Sequence, residues 1–187
     1  LTQDTYVVPE SFQIARHSAG GGIAVVDALL HGEVDNALVV TRPPGHHATP
    51  THGMGFCLLS NMAITARYAQ KAYHAQGIER VMIVDYDVHH GNGTQDVFYA
   101  DPSVLFVSSH QSPWYPGTGA VKDIGTGDAV GTTLNMPLSA GTGDDSFLAL
   151  YEQILWPAAR RFAPNLILVS VGFDAHWAES SSLGQLR

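Results

Sequence analysis

Val81-Met82-Ile83-Val84-Asp85-Tyr86-Asp87-Val88-His89-His90-Gly91-Asn92-Gly93 is the stretch on which the fold turns. Its first four residues are apolar and three of them are β-branched, with no polar alternation. Such a run suits a strand covered on both faces, as in the middle of a parallel sheet. The carboxylates, imidazoles and glycines that follow fall at the strand's carboxyl end, where open α/β sheets bind their ligands. Asp87 and His89 are two apart, so in an extended segment they point the same way. One oxygen and one nitrogen ligand so placed can share a divalent ion, and Zn²⁺ accepts both types.

Outward from this segment, three further apolar runs end in polar residues. Residues 37–41 read as a strand stopped by Arg42-Pro43-Pro44-Gly45, which cannot continue a ladder, and lead into His46-His47. Residues 104–107 are followed by Ser108-Ser109-His110, and residues 166–171, a fully apolar strand, open into Gly172-Phe173-Asp174-Ala175-His176. Residues 132–135 add a strand. Helices are expected over residues 10–30, with a kink or close packing at Gly20-Gly21-Gly22, and over residues 57–76, closed by Gly77. Two more are expected over residues 94–99 and 144–162, the latter capped by Asp144 or Asp145. Residues 6–9 are a short extended piece and 49–56 a glycine-containing loop. Residues 111–128, rich in Gly, Pro, Ser and aromatics, read as a long surface loop, a kind that is usually functional in compact domains. Strand alternating with helix at this spacing predicts an α/β, three-layer α/β/α fold around a mainly parallel sheet.

A chain of 187 residues suits one domain, 1–187, with a sizeable core. Hydrophobic residues at 45% against 14% charged describe a packed globular protein. The net charge of −8, with nine scattered Lys and Arg, argues against nucleic acid, which would need clustered basic residues. The single cysteine, Cys57, excludes an internal disulfide and fits a reducing compartment. No run has the length of a membrane span and the first residues lack a signal-peptide layout, so a cytoplasmic protein is expected.

In a parallel sheet the four polar bursts lie along one edge. Taken singly, each reads as a helix cap or a turn; their coincidence points to one site. Asp87, His89 and Asp174 would hold a metal and leave a position open for water and substrate. Two carboxylates nearly cancel the charge of Zn²⁺, which then acidifies its water less than one held by three neutral imidazoles, so a separate base is needed. His46 and His47 are the candidates, one to take the water proton and the other to steady charge or protonate a leaving nitrogen. Asp85 would orient one imidazole and Asn92 the other. Gly55-Phe56 and Trp114-Tyr115 offer aromatic walls to a narrow channel, or else core packing. His110 and His176 would support the site, His52 and His74 belong to the surface, and Cys57 to buried packing. Gly117-Thr118-Gly119 is too short for a phosphate cradle.

Five segments together resemble the zinc-dependent histone deacetylase superfamily, which includes acetylpolyamine amidohydrolases and acetoin-utilisation proteins. They are Arg42-Pro43-Pro44-Gly45-His46-His47-Ala48, Gly53-Met54-Gly55-Phe56-Cys57, residues 85–94, Tyr115-Pro116-Gly117-Thr118-Gly119 and Gly172-Phe173-Asp174-Ala175-His176. The likeness runs in order from about residue 5 to residue 178. It implies the arginase-deacetylase fold, and hydrolysis of an N-acetyl amide of lysine, in protein or peptide, or of an acetylpolyamine. It also implies Asp87, His89 and Asp174 as zinc ligands, His46 and His47 as the paired imidazoles, and Asp85 as the partner of His46. Gly55 resembles the residue whose carbonyl meets the substrate amide, and Phe56 and Tyr115 the sides of the acyl-lysine tunnel. The family often binds K⁺ or Na⁺; the matching positions are Asp85, Asp87, His89, Ser108 and Ser109, with a second site at Phe98, Asp101 and Val104.

Three departures from the family stand out. Asn92 stands where some members have Asp, and Asn here resembles the class II-like branch. Glu179-Ser180-Ser181-Ser182 replaces an Asp-Pro-containing turn, so the rim there differs. The chain also stops at Arg187 before the family's Gly-Gly-Tyr segment and lacks the amino-terminal part of the domain, so it reads as truncated at both ends and short of one oxyanion donor. Two other readings compete. An arginase-like ureohydrolase would need a carboxylate two residues past His89, where Gly91 stands, and a catalytically silent acyl-lysine-binding module would keep the pocket without turnover.

Overall fold

A computed structural model describes residues 1–176 and residue 178. Four strands, β1 (Val81–Asp85), β2 (Val104–Gln111), β3 (Thr133–Leu138) and β4 (Leu166–Ser170), form a wholly parallel sheet in the order β3-β2-β1-β4. All five residues of β1 are buried, as the unbroken apolar run requires of an inner strand. Its side chains alternate between two cores. Val81 and Ile83 join Phe98, Val104 and Phe106 under α1 (Ser11–Leu30) and α2 (Asn61–Ala72), through Val26, Ala63, Ala66 and Ala69. Met82 and Val84 face the opposite way, onto Met136 and Ala159, with Leu150, Leu155 and Phe162 packed behind. Each large side chain fully buried in this way contributes about 1.5–3 kcal/mol. The sheet is therefore the middle layer of three, as read from the sequence. Among the described residues no helix is long and apolar enough to cross a membrane.

Several boundaries differ from the sequence reading, each for a local reason. Residues 37–41 form no ladder; Leu38 and Val40 are exposed, and among the described residues no strand lies beside them to pair with. His46 and His47 are therefore carried by a loop and not by a strand end. β2 runs on through Ser108, Ser109 and His110, because β3 keeps pairing with it from Ser108↔Asn135 to Gln111↔Leu138. β4 is buried on one face only, with Ile167 and Val169 exposed on the other. The first long helix is unbroken, and its Gly22 serves close packing, lying where a β-carbon would overlap Thr65 of α2. α2 starts at Asn61 and is followed by a single tight turn, His74–Gln76, closed by Gly77 at φ 88°. The helix expected over 144–162 is α4 (Asp144–Leu150) and α5 (Trp156–Phe162), joined by a wider π-helical turn, Tyr151–Leu155. Pro157 has no N–H to bond the carbonyl of residue 153, which removes one regular rung at that junction. Gly143 takes the cap position; Asp144 and Asp145 lie in the first turn, where they complement the helix dipole without capping.

α3 (Asn92–Phe98) begins seven residues after β1 ends and ties the histidine loop to the sheet edge. Its first N–H groups have no partner within the helix. Those of Gly93 and Thr94 donate instead to the carbonyl of His46, at 2.9 and 3.1 Å. A β-carbon on Gly93 would overlap the backbone of His47 and Ala48. Alanine gains up to about 1 kcal/mol in helix propensity over glycine, but here the backbone must move aside. Gly93→Ala is expected to lower stability by about 1–3 kcal/mol net, measured by urea denaturation. An unchanged or raised midpoint would show that the loop is not seated on α3.

Candidate active site

Two segments a long way apart in sequence meet at the carboxyl end of β1. Parallel pairing sets Asp85 level with Ser170 of β4, so the residues just beyond each strand arrive at the same height. Asp87, His89 and Asp174 converge there, with one ligand atom from each within 4.8 Å of the others. His89 Nδ1 lies 2.9 Å from Asp87 Oδ1 and 3.1 Å from Asp174 Oδ2. The backbone braces both carboxylates, since the His89 N–H donates to Asp87 Oδ1 and the Val88 N–H to Asp174 Oδ1. Two oxygens and one nitrogen in this arrangement can hold a divalent metal ion.

His46 and His47 stand beside this group, with ring centroids 3.9 Å apart, and their buried partners differ in kind. His46 Nδ1 meets the buried carboxylate Oδ2 of Asp85 at 3.1 Å, and its Nε2 lies 3.9 Å from Asp87 Oδ2. His47 Nδ1 meets the amide oxygen of Asn92 at 2.8 Å, while the Asn92 amide nitrogen faces the sulfur of Met54. An amide oxygen only accepts, so His47 Nδ1 carries the proton and donates it, leaving Nε2 with its lone pair. Asp85 and Asn92 thus hold the two histidines in the pairing read from the sequence.

The residues expected to wall a channel sit on turns. Gly55 and Phe56 occupy the tip of a two-residue hairpin in which Met54 and Cys57 exchange backbone hydrogen bonds. Both tip residues have left-handed backbone, φ 55° and 65°, as this turn demands. The strained Phe56 is 61% exposed, which fits a wall and not a core residue. The ring of Tyr115 stands 5.0 Å from that of His47 and 6.0 Å from that of His89, edge-on to both. The sequence reading missed Asp4 and Thr5. Asp4 accepts hydrogen bonds from the Gly55 N–H and the Tyr115 hydroxyl, and Thr5 Oγ1 accepts from the Phe56 N–H. A lone carboxylate near the start of the chain carries no spacing signal that would have picked it out. Burial first and the Asp4 charge second push the Tyr115 phenol up to about 12, so it stays a donor.

Other expected residues fall apart from this group. Ser108 is level with Asp85 across the ladder, but its hydroxyl bonds His110 Nδ1, and that of Ser109 lies 3.0 Å from the Tyr151 hydroxyl. Phe98 closes α3 and Val104 opens β2, and between them the Asp101 side chain is committed to Arg67 and Ser103. His90 and His110 bond other partners and lie against each other with ring centroids 4.7 Å apart, tilted by 50°. His176 is exposed and receives the Ala178 N–H. Cys57 is buried packing, as expected. The turn at 179–182 lies outside the described residues.

Charge separates the histidines into two pairs. Burial opposes protonation of His46, but Asp85, with Asp87 beyond it, outweighs burial and raises it to about 9. Burial raises the Asp85 carboxyl as well, so the pair shares one proton. We place it on the imidazole, which has carboxylates on both sides. His89 is likewise raised to about 9, burial being outweighed by Asp174 and Asp87. Burial, then the charge of His46, lowers His47 to about 3; burial, then His110, does the same to His90. In the unfolded chain all four titrate near 6.5. His46 and His89 thus contribute stability that is fully present below about 6.5 and is lost as pH rises through about 9. For His47 and His90 the unfolded chain binds the extra protons, so stability falls as pH drops from about 6.5 toward 3. The metal-free protein is expected to be most stable near pH 6.5, read from urea midpoints across pH 4.5 to 9.5. Midpoints still climbing at pH 9 would contradict these assignments.

Comparison with known proteins agrees with the geometry. The family model for the histone deacetylase domain matches residues 1–187. Histone deacetylase 10, chloroplastic, of Oryza sativa subsp. japonica is 48% identical over 180 residues, covering 94% of this chain and 40% of that protein. A probable deacetylase of Archaeoglobus fulgidus is 46% identical over 94% of this chain and 48% of its own length. The histone deacetylase-like amidohydrolase of Pseudomonas aeruginosa is 46% identical over 100% of this chain and 49% of its own. The chain thus spans half or less of the length of these relatives. The crystal structure of the HDA15 HD domain superposes with a TM-score of 0.91 at 41% identity, covering 99% of this chain and 51% of that one. With its ligand group, histidine pair and turn-built walls in these places, the chain belongs to the histone deacetylase domain family.

Proposed function

We propose that this site hydrolyses an N-acyl amide, with Zn²⁺ held by Asp87, His89 and Asp174, and that its substrate is acetylated lysine in protein or peptide, or an acetylpolyamine. The observation that carries the reading is the convergence of the three ligand atoms within 4.8 Å, next to two imidazoles of which one meets a carboxylate and the other an amide oxygen. The donor set fits zinc and leaves positions for water and substrate. When bound, the metal polarises the acyl carbonyl and makes water easier to deprotonate.

The rest follows from the chain's own groups. His47 presents an unprotonated Nε2, takes a proton from the attacking water and returns it to the amine nitrogen as the C–N bond breaks. One water is consumed, and a carboxylate and an amine leave. His46, kept charged by Asp85, steadies the negative charge that grows on the acyl oxygen. The Gly55 carbonyl meets the substrate amide, and Phe56 and Tyr115 flank the acyl-lysine stem. Asp85, Asp87, His89, Ser108 and Ser109 remain the positions for a K⁺ or Na⁺ ion, with Phe98, Asp101 and Val104 as a second set. Against a dinuclear ureohydrolase site, Gly91 supplies no carboxylate for a second metal, and a β-carbon there would press on the Asp85 carboxylate.

Zinc titration, with acetyl-lysine peptides and N-acetylputrescine as substrates for this chain and for the full protein, tests the proposal. One zinc per chain and acetate release by the full protein are expected; zinc uptake with no turnover of any acyl amide would leave a binding module instead. Asp174→Asn should weaken zinc at least about 100-fold, beyond what loss of a supporting group costs. Because His89 holds a proton in the metal-free state, zinc must displace it, so affinity should rise with pH up to about 9. Calorimetry in buffers of different ionisation enthalpy reads that proton. Asn92→Asp places a carboxylate at His47 Nδ1, favours its charged form and should move the acid limb of the kcat/KM profile to higher pH. An unmoved limb would remove Asn92 from its role.

A further inference from the structure

His90 and His110 are fully buried imidazoles that the proposed reaction does not use, and they hold two consecutive residues, Thr118 and Gly119, of the loop carrying Tyr115. His90 Nε2 lies 3.1 Å from Gln95 Oε1, and His90 Nδ1 lies 2.7 Å from the hydroxyl of Thr118. The orientation of Gln95 is fixed by Asn135, whose amide nitrogen faces three acceptors: Gln95 Oε1 at 2.7 Å and the carbonyls of Asp123 and Ala120 at 3.2 and 3.5 Å. Gln95 therefore presents oxygen to both Asn135 and His90. His90 Nε2 carries the proton, and its bare Nδ1 accepts the Thr118 hydroxyl. The same logic fixes His110: Nε2 donates to the Gly119 carbonyl at 3.1 Å, and Nδ1 accepts from Ser108 at 3.0 Å.

Gly119, at φ 84°, sits close to both rings, and a β-carbon there would overlap His110 Nε2 and His90 Cδ2. Three residues before Thr118, the tyrosine ring faces His47 and His89. We propose that His90 and His110 are positioning residues, a two-ring clasp that fixes Tyr115 over the site by holding the Thr118 hydroxyl and the Gly119 carbonyl. The clasp joins the tunnel wall to the segment that carries the ligand His89, so wall and ligand move as one piece. Thr118 is exposed, while the ring it bonds is 1% exposed. Removing its hydroxyl therefore unpins the loop without opening the core.

The inference rests on Tyr115 bordering the substrate channel, and its test has readouts that need no turnover. In the full, metal-loaded protein, 3-fluorotyrosine at position 115 reports the wall by ¹⁹F NMR, and ¹⁵N-labelled histidine reports the tautomer of His90. Thr118→Val is expected to shift and broaden the fluorine resonance and to raise KM for an acetyl-lysine peptide about threefold to tenfold, the worth of one such hydrogen bond, with kcat nearly unchanged. Thr118→Ser, which keeps the hydroxyl, should restore both. A fluorine resonance identical in Thr118→Val and the parent, or a His90 proton on Nδ1, would overturn the clasp. If the full protein cleaves no acyl amide, the fluorine and nitrogen spectra still decide the clasp, and the failure falls on the proposed reaction alone.

Discussion

The register of β1 against its neighbours is the constraint from which the site follows. Val81 to Asp85 pair level with Leu166 to Ser170 on one side and with Val104 to Ser108 on the other. Parallel strands in step deliver their carboxyl ends to one line, so Asp87 and Asp174 reach a common point with 86 residues of chain between them. A one-residue slip in either pairing would turn Asp87 or Asp174 to the opposite face. The two-sided core under β1 is what forbids that slip, since it would bury Asp85 among the aliphatic side chains that Val84 and Met82 now meet. Hydrophobic patterning, not the ligand chemistry itself, holds the carboxylates in range.

Within that frame the two adjacent histidines become different chemical objects because of what each Nδ1 faces. A carboxylate partner favours the imidazolium and an amide oxygen does not, so Asp85 and Asn92 divide one repeated residue into a cation and a neutral ring. Burial magnifies the difference: in low dielectric a charge without a partner is expensive. The 3.9 Å ring spacing adds to it, because a charged His46 disfavours a second charge on His47.

Much of this was legible in the chain because it is written locally. The apolar run before Asp85, the two-residue spacing of Asp87 and His89, and the coincidence of polar bursts after strands all follow from periodicity. The parallel sheet emerged as read, and Asp87, His89 and Asp174 lie together as expected. What misled was pairing, which depends on the neighbour: residues 37–41 have the pattern of a strand but nothing beside them to bond, and Ser108 to His110 look like a strand end although β3 extends the ladder past them. What went unseen was contact between remote short segments. Asp4 acts on Gly55 and Tyr115 across more than 50 residues, and no rule of spacing connects them. The π-helical turn escaped for another reason, since Pro157 at that position reads simply as the start of a helix.

Between His89 and Gly93 four peptide bonds carry a member of the candidate metal group, one ring of the proposed clasp, the close approach to Asp85, the partner of His47 and the first of the helical N–H groups that hold His46. One inserted residue would rotate everything after it by about 100° about the helix axis, and no compensating change elsewhere could serve all five duties at once. Length variation among homologues should thus be concentrated in loops such as 121–128 and be absent here, which makes this pentapeptide a better ruler for aligning distant members than the longer but looser segments around it.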